Sequence, residues 1–275
     1  MLSDAALRDH APRRYQIEPS ARDDAAERRR LERDLAASVR QGRFLLHFQP
    51  RMLLATGTMR AAEALIRWPH RVRGLVPPAL FIPIAEQSSL ILSIGGWVLR
   101  AACRQARLWP LPWAVSVNVA AQQISSGMLL GQVAAALEES GLNPERLELE
   151  LTESQIIGGD AETLLALSAV RDLGVGLALD DFGTGHASLS VLKRLPLTAM
   201  KLDRSLLRGV PHDREDTAVV RAVIDMGHAL GLAVVAEGVE SEPQRAFLAG
   251  SGCDEGQGYL FSQPVPPDRL AAMSD

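Results

Sequence analysis

The sequence predicts a (β/α)8 barrel of the TIM type whose first two strands are antiparallel. Three observations lead to it. Eight short runs built on Leu, Val and Ala recur along the 275 residues. Amphipathic helical stretches separate most of them, the alternation that folds into a largely parallel sheet. The first two runs, however, are separated by only about nine residues centred on ATGT, which is hairpin length and too short for a right-handed crossover.

Residues 1–25 are polar and charged without an apolar period, and read as a linker or the tail of a preceding module. That leaves 26–275 for the barrel domain. A helix is expected over 23–40, where Leu31, Leu35 and Val39 form one apolar stripe at intervals of four. The basic run at 28–30 is interleaved with Glu27, Glu32 and Asp34, so it reads as a solvated helix face. The eight strand runs follow at 44–50, 60–68, 113–119, 146–152, 175–181, 198–203, 232–237 and 256–261. Gly141, Gly174 and Gly231 each follow a periodic run, where a left-handed residue closes a helix. Ser241, Pro243 and Gln244 fit a capped helix start.

Hydrophobic residues make up 47% of the chain, charged residues 23%, and the formal net charge is -4. That balance argues against a nucleic-acid polymer as partner. No apolar stretch approaches the roughly 18 residues of a membrane span, so no membrane contact is expected of this segment. Cys103 and Cys253 lie far apart, and are expected to be buried thiols of a cytoplasmic protein rather than a disulfide. The six histidines form no HxxxH or HExxH pair, so any metal would need oxygen ligands.

Polar residues recur near the C-terminal ends of these apolar strands. Glu63 and Arg67 share one face of the second run. Asn118 ends the third, Glu150 lies in the fourth, and Asp180 and Asp181 end the fifth. Lys201 and Asp203 end the sixth, Glu237 ends the seventh and Gln257 opens the eighth. Each has a plainer reading alone: an Asp as helix cap, a Glu on an exposed edge, a Lys in a rim salt bridge, an Asn in a turn. Their gathering at one end of successive strands is not explained that way. In a barrel those ends converge on the rim where active sites of this fold sit. Carboxylates so placed repel one another unless cations intervene. The pattern therefore points to a carboxylate-rich, two-metal site suited to phosphate-ester hydrolysis.

The same residues carry a family resemblance. FQP at 48–50, EALIRW at 63–68, FIPIAE at 81–86, VN at 117–118, ELTES at 150–154, DDFGTG at 180–185, KLD at 201–203, AEGVE at 236–240 and CDEGQGYLFSQP at 253–264 occur in order. The chain resembles the EAL domain family of cyclic di-GMP phosphodiesterases over roughly residues 30–273. The resemblance implies metal-dependent hydrolysis of cyclic di-GMP to linear pGpG with two divalent ions, Mg2+ or Mn2+. It implies that Glu63, Asn118, Glu150 and Asp180 bind one ion. Asp180, Asp181 and Glu237 would serve the other, with Asp180 shared. Lys201 would hold the attacking water, and Glu153 would tie down the loop that begins at Asp180. Gln49, Arg67, Gln257 and Asp203 would lie at the substrate. It further implies a homodimer formed around that loop, and a sensory or GGDEF domain upstream.

Three positions depart from the family pattern: His186 where Tyr is common, Gln122 where Arg is common, and Thr198 where Asp is common. None removes an implied ligand or Lys201, although the first two touch the loop and its link to dimerisation. A catalytically silent receptor for cyclic di-GMP is the alternative, and a scaffold that binds no nucleotide is a third.

Overall fold

A computed structural model describes residues 21–156, 161–185 and 189–274. The linker expected over 1–25 lies outside them as far as residue 20, and so does His186. Among the described residues the nine strands are β1 (Leu45–Leu53), β2 (Met59–His70), β3 (Gly74–Val76), β4 (Ala114–Asn118), β5 (Leu147–Thr152), β6 (Gly176–Phe182), β7 (Ala199–Leu202), β8 (Ala233–Ala236) and β9 (Glu255–Gly256). The helices are α1 (Ala21–Gln41), α2 (Pro78–Glu86), α3 (Leu90–Arg107), α4 (Ala121–Ser125), α5 (Leu129–Ser140), α6 (Glu153–Ile156), α7 (Ala161–Asp172), α8 (Leu189–Leu192), α9 (Arg214–Ala229), α10 (Glu242–Gly250) and α11 (Pro267–Ala271).

The sheet runs β1-β9-β8-β7-β6-β5-β4-β2-β3, and a β1–β2 pairing closes all but β3 into an eight-stranded barrel. β1 is antiparallel to both its neighbours, as the short first link requires, and the ladders from β2 through β4 to β9 are parallel. The short strand β3, not anticipated, folds back on the end of β2 as an outer hairpin.

Local signals hold where the chemistry is local. Leu31 and Leu35 of α1 are buried and Val39 packs beside them. Gly141, Gly174 and Gly231 all have positive φ. Ser241 and Gln244 form a reciprocal capping box at the start of α10. Cys103 and Cys253 are buried free thiols.

The last strand needs correction. The run at 256–261 was expected to be a strand, yet only Glu255–Gly256 joins the ladder. Beyond it the backbone turns toward the loop after β8, where the Val239 N–H donates to the Gln257 carbonyl. A Cβ at position 258 would fall 2.2 Å from the Val239 carbonyl oxygen, so only Gly258 lets the two segments meet.

Strand alternation sends Leu147, Leu149 and Leu151 of β5 into the fully buried core, and Glu148 and Glu150 to the opposite face, where the barrel axis lies. There Arg51 of β1 sits 2.5 Å from both Glu148 and Glu255 and 4.0 Å from Glu150. The Arg51–Glu255 pair lies beside the seam between β1 and β9, which has only two ladder positions. Breaking a buried ion pair from one side leaves the other charge uncompensated, at about 3–5 kcal/mol. Arg51→Ala is therefore expected to lower the unfolding free energy in urea by about that amount; a change within 1 kcal/mol of zero would show that the seam does not depend on it.

Candidate active site

The site is built at the C-terminal mouth of the barrel by register. Asn118 of β4 is paired with Glu150 of β5, and Thr152 of β5 with Asp180 of β6. Glu63 is paired with Gln49 on one side and Ser116 on the other. Lys201 enters from β7, and Glu237 follows the last residue of β8.

Lys201 is the centre of this arrangement. Its Nζ lies 2.6 Å from Glu237, 2.8 Å from Glu150, 3.2 Å from Asp180 and 3.9 Å from Glu63. The side chain is 1% exposed. Burial alone would drive the ammonium toward neutrality, but Glu150, Glu237, Glu63 and Asp180 outweigh it and hold its pKa well above the ordinary range.

One ammonium cannot satisfy four carboxylates equally. Burial pushes Glu63 up, but Lys201 and hydrogen bonds donated by the Gln257 and Asn118 amides overcome it, so Glu63 titrates below its ordinary value. Glu150 goes the other way: burial, then repulsion from Glu63, holds its carboxyl well above the usual range despite Lys201. Neither of its oxygens receives a well-directed hydrogen bond among the described residues. Glu237 is pushed up to about 7 by burial and by Asp180 and Glu63, against the pull of Lys201.

Asp180 and Asp181 should point to opposite faces if the strand continued regularly. Asp181 instead has φ 56°, the one non-glycine in the left-handed region among the described residues. The β6–β7 ladder shifts register between Leu179 and Phe182. Aspartate tolerates that conformation better than most residues, and here the Asp181 N–H donates to Asp180 Oδ1 at 3.0 Å. The turn brings both carboxylates to the mouth. One oxygen each of Asp180, Asp181 and Glu237 lie within 4.8 Å of one another. An all-oxygen donor set of this kind, beside the under-satisfied Glu150, fits a hard divalent cation.

The remaining anticipated residues separate into two groups. Gln257 and Gln49 join the site: the Gln257 amide donates to Glu63 Oε2 at 2.6 Å and to Gln49 Oε1 at 3.1 Å. The others sit around it. Glu153 accepts the Gly185 N–H at 2.9 Å. Asp203 caps a short turn by accepting the Ser205 N–H. Arg67 donates to the neighbouring Ile66 carbonyl. Of the departures, Gln122 donates to the Glu86 carbonyl, and the Thr198 hydroxyl bonds to β6 at Leu177. A cavity of about 240 Å3 opens over Glu63, Asp180, Glu237 and Gln257, and its walls include Arg204, Glu240 and Tyr259. Those three were not anticipated: Arg204 opens the short helical turn after β7, Glu240 lies in the loop after β8, and Tyr259 falls in the run expected to be a strand.

The EAL domain family description matches residues 30–264. The bifunctional diguanylate cyclase/cyclic di-GMP phosphodiesterase MucR of Pseudomonas aeruginosa is 41% identical over 260 residues, covering 93% of this chain and 38% of that protein. The cyclic di-GMP phosphodiesterase NbdA of the same organism is 42% identical over 255 residues, 91% of this chain and 32% of that one. The chain thus spans between about a third and two-fifths of these relatives' length. Among solved structures, the P. aeruginosa MucR phosphodiesterase in complex with c-di-GMP superposes with a TM-score of 0.83 at 42% identity, over 88% of this chain and 99% of that one. The EAL enzyme Bd1971 bound to cAMP and cyclic di-GMP gives 0.85 at 32% identity, over 92% and 70%.

The raised carboxyl of Glu237 has a consequence for stability. From its ordinary pKa of 4.5 up to about 7, the folded protein keeps a proton that the unfolded chain has released. Its contribution to stability therefore falls as pH rises through that window. In metal-free buffer, Glu237→Gln is expected to flatten the decline in urea midpoint between pH 5 and pH 7.5. An equally steep decline in the variant would place the titration elsewhere.

Proposed function

The chain belongs to the EAL domain family, and on that premise we propose that it hydrolyses one phosphodiester bond of cyclic di-GMP to give linear pGpG, with two divalent cations, Mg2+ or Mn2+. The observation that carries this reading is the convergence of Glu63, Glu150, Asp180 and Glu237 on Lys201, with Asp181 turned to the same mouth. Glu63, Asn118, Glu150 and Asp180 would hold one ion, and Asp180, Asp181 and Glu237 the other. When bound, such ions lower the pKa of water and screen the charge of the phosphate.

The chain's own groups divide the rest of the work. Lys201 has donors and no acceptor, so its ammonium orients the oxygen of the attacking water through a lone pair. Glu237 lies 2.6 Å from Lys201 and so faces the same water, whose proton passes to solvent. One P–O bond forms to the water oxygen, and the bond to the ribose 3′ oxygen breaks, that oxygen leaving with a proton taken from solvent. Arg67 offers a planar fork to a phosphate oxygen. Gln49 and Gln257 line the cavity and present amides to the substrate, and Asp203 lies beside it. Glu153, through the Gly185 N–H, restrains the loop that carries Asp180 and Asp181.

The reading extends to setting. The free thiols of Cys103 and Cys253 accord with a cytoplasmic domain, and no described helix is long and apolar enough to cross a membrane. The greater length of the relatives supports a place within a longer signalling protein, behind a sensory or GGDEF domain, and the family resemblance supports a homodimer.

Hydrolysis of cyclic di-GMP with Mg2+ or Mn2+ tests the proposal. The native chain is expected to form pGpG, and Glu63→Ala to do so about a hundredfold more slowly or worse. Tight binding of cyclic di-GMP without turnover by the native chain would favour the silent receptor.

A further inference from the structure

Glu150 has two cations beside one of its oxygens. Lys201 Nζ makes its closest approach at Oε1, at 2.8 Å, and the Arg51 guanidinium makes its own at the same atom, at 4.0 Å. Oε2 is left as the oxygen farther from both. Lys201 belongs to the proposed chemistry, whereas Arg51 has no part in it.

Arg51 is nevertheless held with care. Its Nε donates to Glu255 Oε2 at 2.5 Å, and a terminal nitrogen donates to Glu148 Oε1 at 2.5 Å. The three side chains come from β1, β9 and β5, and are 4%, 8% and 12% exposed. Bonds on two different nitrogens fix both the place and the plane of a guanidinium. At 4.0 Å it is too far from Glu150 for a hydrogen bond, and near enough for its charge to act in a buried setting. Glu148 and Glu255 thus keep Arg51 from claiming Glu150 outright.

The cluster lies away from the substrate. None of its three members lines the site cavity. They border a separate cavity of about 380 Å3, with Ala114, Gly176 and Ala233 at the starts of β4, β6 and β8, at the opposite end of the barrel. Any effect of Arg51 on the chemistry therefore passes through Glu150. We infer that Arg51 is a positioning residue for Glu150: its tethered charge steadies Oε1 beside Lys201 and presents Oε2 to the divalent ion. This rests on the two-cation reading above, and names a residue outside the site that sets its affinity for metal. Charge alone predicts the reverse, because Arg51 repels an arriving cation and its removal would tighten binding.

The test measures the Mn2+ Kd by calorimetry on chelator-treated protein, with urea midpoints and cyclic di-GMP kinetics alongside. The variants are Arg51→Met, Arg51→Lys and the triple Arg51→Met, Glu148→Leu, Glu255→Leu. Arg51→Met strands two buried carboxylates and loses stability, whereas the triple replaces the whole cluster by apolar side chains, a change that is often neutral or stabilising. In the triple the urea midpoint is expected to return toward native while the Mn2+ Kd stays about tenfold weaker, the lower end for loss of an outer partner of a metal ligand. Activity falls at limiting Mn2+ and recovers at saturating Mn2+, with KM for cyclic di-GMP unchanged. Arg51→Lys keeps the charge and recovers only part of the affinity, because an ammonium lacks the planar fork. Native Mn2+ Kd within twofold in every variant that folds, or tighter binding in any of them, overturns the inference. If the native chain binds Mn2+ without hydrolysing cyclic di-GMP, the phosphodiesterase reading fails and the Kd series still decides this one. If it binds no Mn2+, both fall.

Discussion

One lysine ammonium buried among four carboxylates is the constraint on which the mouth of this barrel depends. Taking Lys201 out of water is costly, and so is taking Glu150 and Glu63 with it. The charges persist because they lie within 2.6–3.9 Å of opposite charge. The balance is uneven all the same. Glu63 has amide donors as well as Lys201, and is held ionised. Glu150 and Glu237 are pushed toward protonation. A cluster that its own lysine only partly neutralises has a use for further positive charge, and the geometry of Asp180, Asp181 and Glu237 offers oxygen ligands for it.

Beneath this cluster lies a second one. TIM-type barrels commonly fill their interior with branched apolar layers, whereas here Arg51, Glu148 and Glu255 occupy the axis. Arg51 also reaches within 4.0 Å of Glu150, so the two ionic groups abut. The seam that Arg51 spans leads directly into Gln257, whose amide orients Glu63 and Gln49. The integrity of the barrel and the order of the site are thus carried by Glu255 on the last strand and Gln257 just past its end.

Much of this was legible in the sequence, for identifiable reasons. The short ATGT link forced β1 against β2, and alternation on β5 placed Glu148 and Glu150 opposite three leucines. The recurrence of acids at strand ends located the mouth. The misses have physical causes too. Strand propensity suggested 256–261 as a strand, but the contact at Gly258 ends it after Gly256. A period-two pattern could not show that Asp181 turns left-handed to join Asp180. The Arg51 cluster was invisible because its members lie more than ninety residues apart in the chain and meet only across the barrel. Arg204 and Glu240 lie just past strand ends, where neither periodicity nor register speaks, and Tyr259 lies past the point where the expected last strand stops.

The central claim is that this carboxylate cluster holds divalent cations whose presence makes the site hydrolytic. The most direct measurement titrates Mn2+ into chelator-treated protein and follows bound ion by electron paramagnetic resonance and cyclic di-GMP turnover on the same samples. The account predicts no turnover without bound ion, and turnover that rises with occupancy. Hydrolysis by ion-free protein, or full occupancy with no hydrolysis, would contradict it.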